Sequence, residues 1–287
     1  MALLSKAKCW YADATFKIVR RPFTQLFCIH AFVESDSNMK QVPLFFVLMS
    51  GKRRRDYKKV FSKTKELLGE ELRVEEIIID FEESVWRAIP DVLPNVCIRG
   101  CGFHWGQAVW RKIQELGLQV SYTNDAGIHR YLRKVLSLPY VPAEHTEELF
   151  LRFYRKADGC QSLLKLLDYI RNTWIYSSIW PPRSWCVFGR SIRTNNDVEG
   201  WHHHINLKAR KGQLSFYLLV KLLHDEAKLV PIQVRLLSDG KVLRRQRAKY
   251  TRHHGRLASL WEEYNAGDRS AKQLLRAVSH HISVYVC

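Results

Sequence analysis

The segments of this 287-residue chain predict an α/β protein, a mixed sheet flanked by helices with an all-helical insertion before a late helix that closes the core. Three observations carry that reading. Three β-rich segments follow one another through short connections, as in an antiparallel meander. An amphipathic helix then leads into a strand apolar on both faces, the arrangement that permits parallel pairing. Residues 123 to 180 show helical periodicity and almost no alternation.

The elements follow in order. "KCWYADATFKIV" (8–19) and "TQLFCIHAFVES" (24–35) are aromatic, β-rich runs separated at Pro22. "VPLFFVLMS" (42–50) is a third strand. In "DYKKVFSKTKELLGEEL" (56–72), Tyr57, Val60, Phe61, Thr64, Leu67 and Leu68 share one helical face and lysines take the other. "VEEIIIDFEE" (74–83) is the buried strand, which places Asp80 at the C-terminal end of a central parallel strand. A helical stretch around "SVWRAI", a short strand "NVCIRGCGF" (95–103) and a helix "HWGQAVWRKIQELGL" (104–118) come next. The insertion holds "IHRYLRKVL", "TEELFLRFYRKA" and "SLLKLLDYIRNTWI", and the prolines of "WPPRSW" (180–185) close it. Beyond "RTNNDVEGWHHHIN" (193–206) lie the helix "LSFYLLVKLLHDEAKLV" and a basic stretch "KVLRRQRAKYTRHHGR" (241–256) in which little core is expected.

Composition limits the partners. Forty-six Lys and Arg against 28 Asp and Glu give +18, an excess suited to a polyanion such as nucleic acid or an acidic membrane surface. No apolar run reaches the length of a membrane span and none reads as a secretory signal, so a soluble, intracellular protein is expected. Seven cysteines, an odd number over a long chain, read as reduced core thiols rather than a disulfide framework.

Three acidic positions stand out. Asp13 ends the first strand and Asp80 the fourth; adjacent parallel strands would project both carboxylates at one sheet edge, where open α/β sheets place their sites. Glu199 starts a later helix that could fold over them. Three such carboxylates suit two divalent cations roughly 4 Å apart at a phosphodiester. Hard oxygen ligands favour Mg²⁺ or Mn²⁺ over zinc. Each also has a plainer reading, a turn or cap residue for the aspartates and a capping-box partner of Asn196 for Glu199.

The histidine run is not a tri-histidine site, because three consecutive helical residues point in different directions. Val198, Trp201, His202 and Ile205 form one face; His202 is expected buried beside Trp201, and His203 and His204 exposed. "CIRGCGFHW" (97–105) offers Cys101-x-x-His104 with Cys97 nearby, but no clustered Cys or His supplies a fourth zinc ligand. Two core thiols and a helix-start histidine are the alternative.

Five segments in this order, "YADATFKIVRRPFTQLFCIHAF", "VPLFFVLMSGKRRRDY", "IIIDFEESVWRAI", "GCGFHWGQAVWRKIQELGL" and "RTNNDVEGWHHHIN", resemble the transposase domain of Mutator-like elements from about Trp10 to about Lys208. The resemblance implies an RNase H-like core with a helical insertion between the second and third acidic residues. It assigns the DDE triad to Asp13, Asp80 and Glu199, as catalytic residues and ligands of two Mg²⁺ or Mn²⁺ ions. The family's Cys/Asp-x-x-His signature falls on Cys101 and His104, which are read as organising the site or contacting DNA near the cut; His202 is placed beside them as a supporting residue. The first motif usually reads Asp-Gly-Thr-Phe; here Ala14 takes the glycine's place.

The function implied is two-metal DNA strand cleavage and strand transfer, the partners being double-stranded DNA of the element's ends and target, with a homo-oligomer expected from the family. The N-terminal zinc-finger module common in the family is not in this chain, so a transposon-derived DNA-binding or regulatory protein that no longer cuts is the alternative. A metal-dependent nuclease unrelated to transposition is a third. Lys52, Arg53, Arg54 and Arg55, and Arg244, Arg245 and Arg247, are candidate phosphate contacts; either group could instead be a nuclear import signal or a solvated surface. A nuclear location is expected. The domain organisation expected is 8–122 for the first part of the core, 123–190 for the insertion, 191–225 for the closing helix and 226–287 for a basic helical C-terminal region.

Overall fold

A computed structural model describes residues 1–35, 38–157, 159–192, 196–210, 212–241 and 248–282, with side chains throughout except at 196 and 248–254. Arg244, Arg245 and Arg247 lie outside the described residues. Compact packing divides the chain into a sheet unit, 1–99 with 195–245, and a helical unit, 100–194 with 246–287.

The sheet unit begins with a short helix α1 (Ala2–Lys6), then strands β1 (Cys9–Thr15), β2 (Gln25–Ser35) and β3 (Asn38–Met49). Helix α2 (Arg54–Leu68), strand β4 (Glu76–Ile79), helix α3 (Glu83–Val92) and strand β5 (Cys97–Gly100) follow. Helices α4 (Gly102–Glu115), α5 (Leu118–Asn124), α6 (Ala126–Leu136), α7 (Ala143–Tyr154), α8 (Gln161–Ile170) and α9 (Pro182–Trp185) belong to the helical unit. The chain returns to the sheet unit with α10 (Asn196–Lys208) and α11 (Phe216–Ser238), then to the helical unit with α12 (Ala248–Asn265) and α13 (Ala271–Ser279).

The five strands lie in the order β3-β2-β1-β4-β5. β1 and β2, and β2 and β3, pair antiparallel, whereas β1 and β4 pair parallel across the α2 crossover. This mixed, helix-flanked sheet agrees with the RNase H-like expectation. The two-residue strand period then sorts the side chains. Phe27 of β2 meets Tyr57 and Phe61 of α2, ring centroids 5.6 and 6.1 Å away. Leu26 and Cys28, facing the other way, join Ile205 of α10, Ala209 just beyond its end, and Leu219 and Leu223 of α11 in one apolar cluster. Covering both faces is what buries β1 and the first seven residues of β2 almost without alternation.

Local chemistry sets the junctions. Asp56 accepts a hydrogen bond from the Arg53 backbone N–H (3.0 Å) and so closes the first turn of α2. A Cβ on Gly51 would come within 2.3 Å of that carboxylate, so only glycine lets the loop approach so closely. Ala14, in the place of the family's glycine, pairs with Phe27 as an ordinary strand residue. Among the described non-glycine residues only Arg210 has a positive φ, so alanine at 14 meets no strain.

Four expectations are corrected. α11 does not end near Val230 but continues through Pro231 to Ser238; proline removes one hydrogen-bond donor without stopping the helix. Cys97 is exposed, not a core thiol, because β5 is the edge strand of the sheet. The C-terminal region has its own core, with Leu257, Trp261, Leu274 and Val278 buried. Asp13 does not end its strand: β1 runs two residues further, because Ala14 and Thr15 keep their pairing with Phe27 and Leu26 of β2. No helix among the described residues is long and apolar enough to cross a membrane.

Candidate active site

The carboxylate of Asp13 is set by strand geometry. Tyr11 pairs with His30 and Asp13 with Cys28, so Asp13, Cys28 and His30 share the sheet face that α10 covers. Asp13 is buried at 5% exposure. Its Oδ1 accepts the Ala14 backbone N–H at 2.7 Å, and its Oδ2 lies 3.6 Å from Nδ1 of His202. Burial and the Asp13 charge push the Cys28 thiol well above its ordinary range.

Helix α10 supplies the remaining groups through its 3.6-residue period. Val198, His202, Ile205 and Ala209 are buried, while His203 and His204 are exposed. Glu199 stands in the first turn, where the helix dipole favours an ionised carboxylate. One ligand atom each from Asp13, Glu199 and His202 lies within 4.8 Å of the others. The expected cap from Asn196 falls on a side chain outside those described.

What fixes α10 on the sheet is a polar and aromatic layer. Trp201 stacks on Phe46 of β3 at 5.5 Å and meets His30 edge-on at 5.1 Å. Its Nε1 donates to Oε2 of Glu226 (3.1 Å), whose Oε1 accepts Lys208 Nζ at 2.6 Å. Glu226 is itself buried at 4% exposure, so the lysine and indole offset the cost of that charge. His30 lies 6.5 Å from the His202 ring. Burial, with a smaller contribution from His202, pushes its pKa down to about 3, so it is neutral at physiological pH.

Asp80 follows the last residue of β4. The parallel register pairs Cys9 with Glu76, Trp10 with Ile77 and Tyr11 with Ile78. Two residues further along each chain stand Asp13 and Asp80. The Asp80 backbone carbonyl accepts Trp86 Nε1 at 2.6 Å, which ties the end of β4 to α3. Glu82 adds a further acid: burial raises its carboxyl above the usual range, a hydrogen bond with Tyr57 opposes that, and the Asp80 charge adds to it. The group that meets at 4.8 Å contains His202 in addition to Asp13 and Glu199, and does not contain Asp80.

Cys101 and His104 sit in the helical unit, Cys101 buried at the N-cap position of α4 and His104 half-buried in its first turn. The basic run before α2 is exposed. Arg54 is held by a bidentate pair with Asp91 (2.9 and 2.7 Å), Lys52 lies 3.5 Å over the Phe16 ring, and Arg55 approaches Asp56 at 3.9 Å. The Arg54 guanidinium keeps the Asp91 carboxyl below its usual range.

Sequence reading did not single out His30, Glu82 or Glu226. A histidine inside "FCIHAF" was the available signal for the first, since an imidazole in an apolar strand needs a polar neighbour. Glu82 follows Asp80 by two residues in "DFEE". Glu226 reads as a solvated helix residue, and only the packing of α11 reveals it.

Residues 9–108 match the family model of the MULE transposase domain. The match runs from β1 into α4; it contains Asp13, Asp80, Cys101 and His104 and stops short of Glu199. No curated protein matches the chain. The match supports a transposase-related function, and a transposase domain implies DNA binding.

Proposed function

We propose, from the premise that residues 9–108 are a MULE transposase domain, that the chain is the catalytic core of a DDE transposase. It would cleave DNA at the ends of a mobile element and join the freed 3′ ends to target DNA. The observation that carries this reading is the meeting of Asp13, Glu199 and His202 within 4.8 Å on a strand whose parallel neighbour leads into Asp80.

The donor set fits the metals such an enzyme uses. Carboxylate oxygens with one imidazole suit Mg²⁺ or Mn²⁺ better than the thiolate-rich sets of structural zinc. A buried carboxylate such as Asp13 carries a desolvation cost that a cation offsets. Asp13, Asp80 and Glu199 would hold two ions, with His202 beside them. Two such ions, when bound, would supply activation of the attacking oxygen and charge stabilisation of the leaving oxygen.

The chain's own residues supply position. The Ala14 N–H holds Oδ1 of Asp13, and His202 stands beside Oδ2. Trp201, anchored by Phe46 and Glu226, fixes the rotation of α10 and with it the aim of Glu199 and His202. In cleavage, water displaces the 3′ oxygen from phosphorus and loses its proton; in joining, the freed 3′ hydroxyl attacks a target phosphodiester. One site serves both reactions because both displace an oxygen at phosphorus. A nuclear location and a multimer acting on paired ends belong to the same proposal.

The test is strand cleavage and joining by the purified chain, with Mg²⁺ or Mn²⁺, on DNA carrying the element's terminal repeats. Asp80→Asn should abolish both reactions while leaving the fold and salt-sensitive DNA binding intact. A wild-type chain that binds those ends but never cuts them would make this a transposon-derived DNA-binding protein instead.

A further inference from the structure

The helical unit carries a cationic cleft that the catalytic reading does not use. Its volume is about 960 Å³, and eight of its sixteen lining residues are Lys or Arg while none is Asp or Glu. The chain-wide ratio of 28 acidic to 46 basic residues would bring four or five carboxylates with eight cations. Their exclusion is therefore local, beyond the general basicity of the protein.

Three helices build it. α6 contributes Arg130, Arg133 and Lys134 from its exposed side. The end of α7 contributes Arg152, Arg155 and Lys156, of which Arg152 also pairs with Glu148. α13 contributes Lys272 and Arg276, along with Ser270 and Gln273 at its capped N-terminus, where backbone N–H groups add positive potential. Leu149, Phe153 and Leu275 form an apolar floor.

One of the cations is incompletely satisfied among the described residues. Arg133 donates Nη2 to the carbonyl of Ile282 at 2.6 Å, but its buried Nε has no hydrogen-bond partner among the described residues. Burial, and then Lys156, Arg276 and Arg130, hold the Lys134 ammonium below the usual lysine range. Like charges gathered at a cost, around a guanidinium with a spare donor, describe a site arranged for an anion.

We propose that this cleft binds the backbone phosphates of DNA, as a contact formed entirely by the helical unit. The preference for phosphate comes from the cleft itself; the choice of DNA over another polyanion rests on the transposase reading. Five of the eight cations, Arg130, Arg155, Lys156, Lys272 and Arg276, are exposed, as contact with an extended backbone requires.

The experiment measures the affinity of the full chain for a random-sequence duplex by fluorescence anisotropy over a range of KCl, in EDTA so that no cutting intervenes. A variant combining Arg130→Gln, Lys156→Gln, Lys272→Gln and Arg276→Gln leaves half-buried Arg133 in place, and circular dichroism checks its fold. Each lost phosphate contact reduces the slope of log K against log salt by ~0.9, so a reduction of about 3 to 4 is expected. A charge-matched control with Lys6, Lys8, Lys63 and Lys228 changed to Gln should alter the slope by less than ~1. Equal changes in the two variants would overturn the proposal, since net charge would then suffice. So would an unchanged slope in the cleft variant, including the case in which inositol hexakisphosphate binds the wild type and not that variant. The same titration on Asp80→Asn separates the two readings, because phosphate binding should survive a substitution that abolishes cleavage.

Discussion

The two units of this chain treat buried polarity in opposite ways. The sheet unit withdraws carboxylates and imidazoles from water: Asp13, His30, His202 and Glu226 are all buried. The helical unit holds six of the nine tryptophans, packs Trp105 against Trp185 at 5.1 Å and Trp174 at 6.2 Å, and leaves its cations at the surface. A buried acid requires a partner or an ion, whereas buried indole needs only one acceptor; Trp185 Nε1 finds the Trp180 carbonyl at 3.1 Å. The difference teaches that the sheet unit gives buried positions to acids and imidazoles, as the proposed chemistry requires, whereas the helical unit gives them to aromatic packing.

Substitutions can break that contrast. The largest expected effect is on rate: Asp13→Asn should lower Mn²⁺-dependent nicking of supercoiled DNA on the order of 1,000-fold or more. Urea unfolding of that variant should match the wild type, since an isosteric amide keeps the packing. Retention of nicking within a few fold would remove Asp13 from the chemistry. Next in size, Trp185→Ala should cost about 3–5 kcal/mol by cavity formation, read as early loss of near-ultraviolet dichroism on urea titration. A cost below about 1 kcal/mol would show that the tryptophan cluster is not the core of the helical unit. Smaller is the effect of His202→Gln, which should weaken Mn²⁺ affinity by ~10- to 100-fold in calorimetry, against no change for exposed His203→Gln. Similar losses in both would mean that α10 does not present His202 to the carboxylates as its period requires.

Much of this was legible in the residues. "IIID" announces a strand that ends beside an acid, because an apolar run with a terminal carboxylate has few other readings; in "YADATF" the strand is legible but its end is not, since β1 runs past Asp13 to Thr15. The separation of His202 from His203 and His204 follows from helical geometry alone. What could not be read depends on register and tertiary packing. His30 reaches His202 only because β1 and β2 pair as they do, and Glu226 is buried only because α11 lies over Trp201. The exposure of Cys97 needed the strand order. The cationic cleft was equally hidden: residues 130–134, 152–156 and 272–276 each look like an ordinary solvated helix face, and only folding brings them together. Periodicity alone favours a capping role for Glu199; the resemblance is what groups it with Asp13, and the nearness of His202 to both needs the packing of α10.

Hydrogen–deuterium exchange with and without Mn²⁺, on the wild type and Asp13→Asn, tests the central claim directly. The ion should add protection in β1, in the residues around Asp80 and in the first turns of α10, little in α6, α7 and α13, and none of it in Asp13→Asn. Protection spread evenly over both units, absent from the wild type, or undiminished by Asp13→Asn would contradict a metal centre built on Asp13, Asp80 and Glu199.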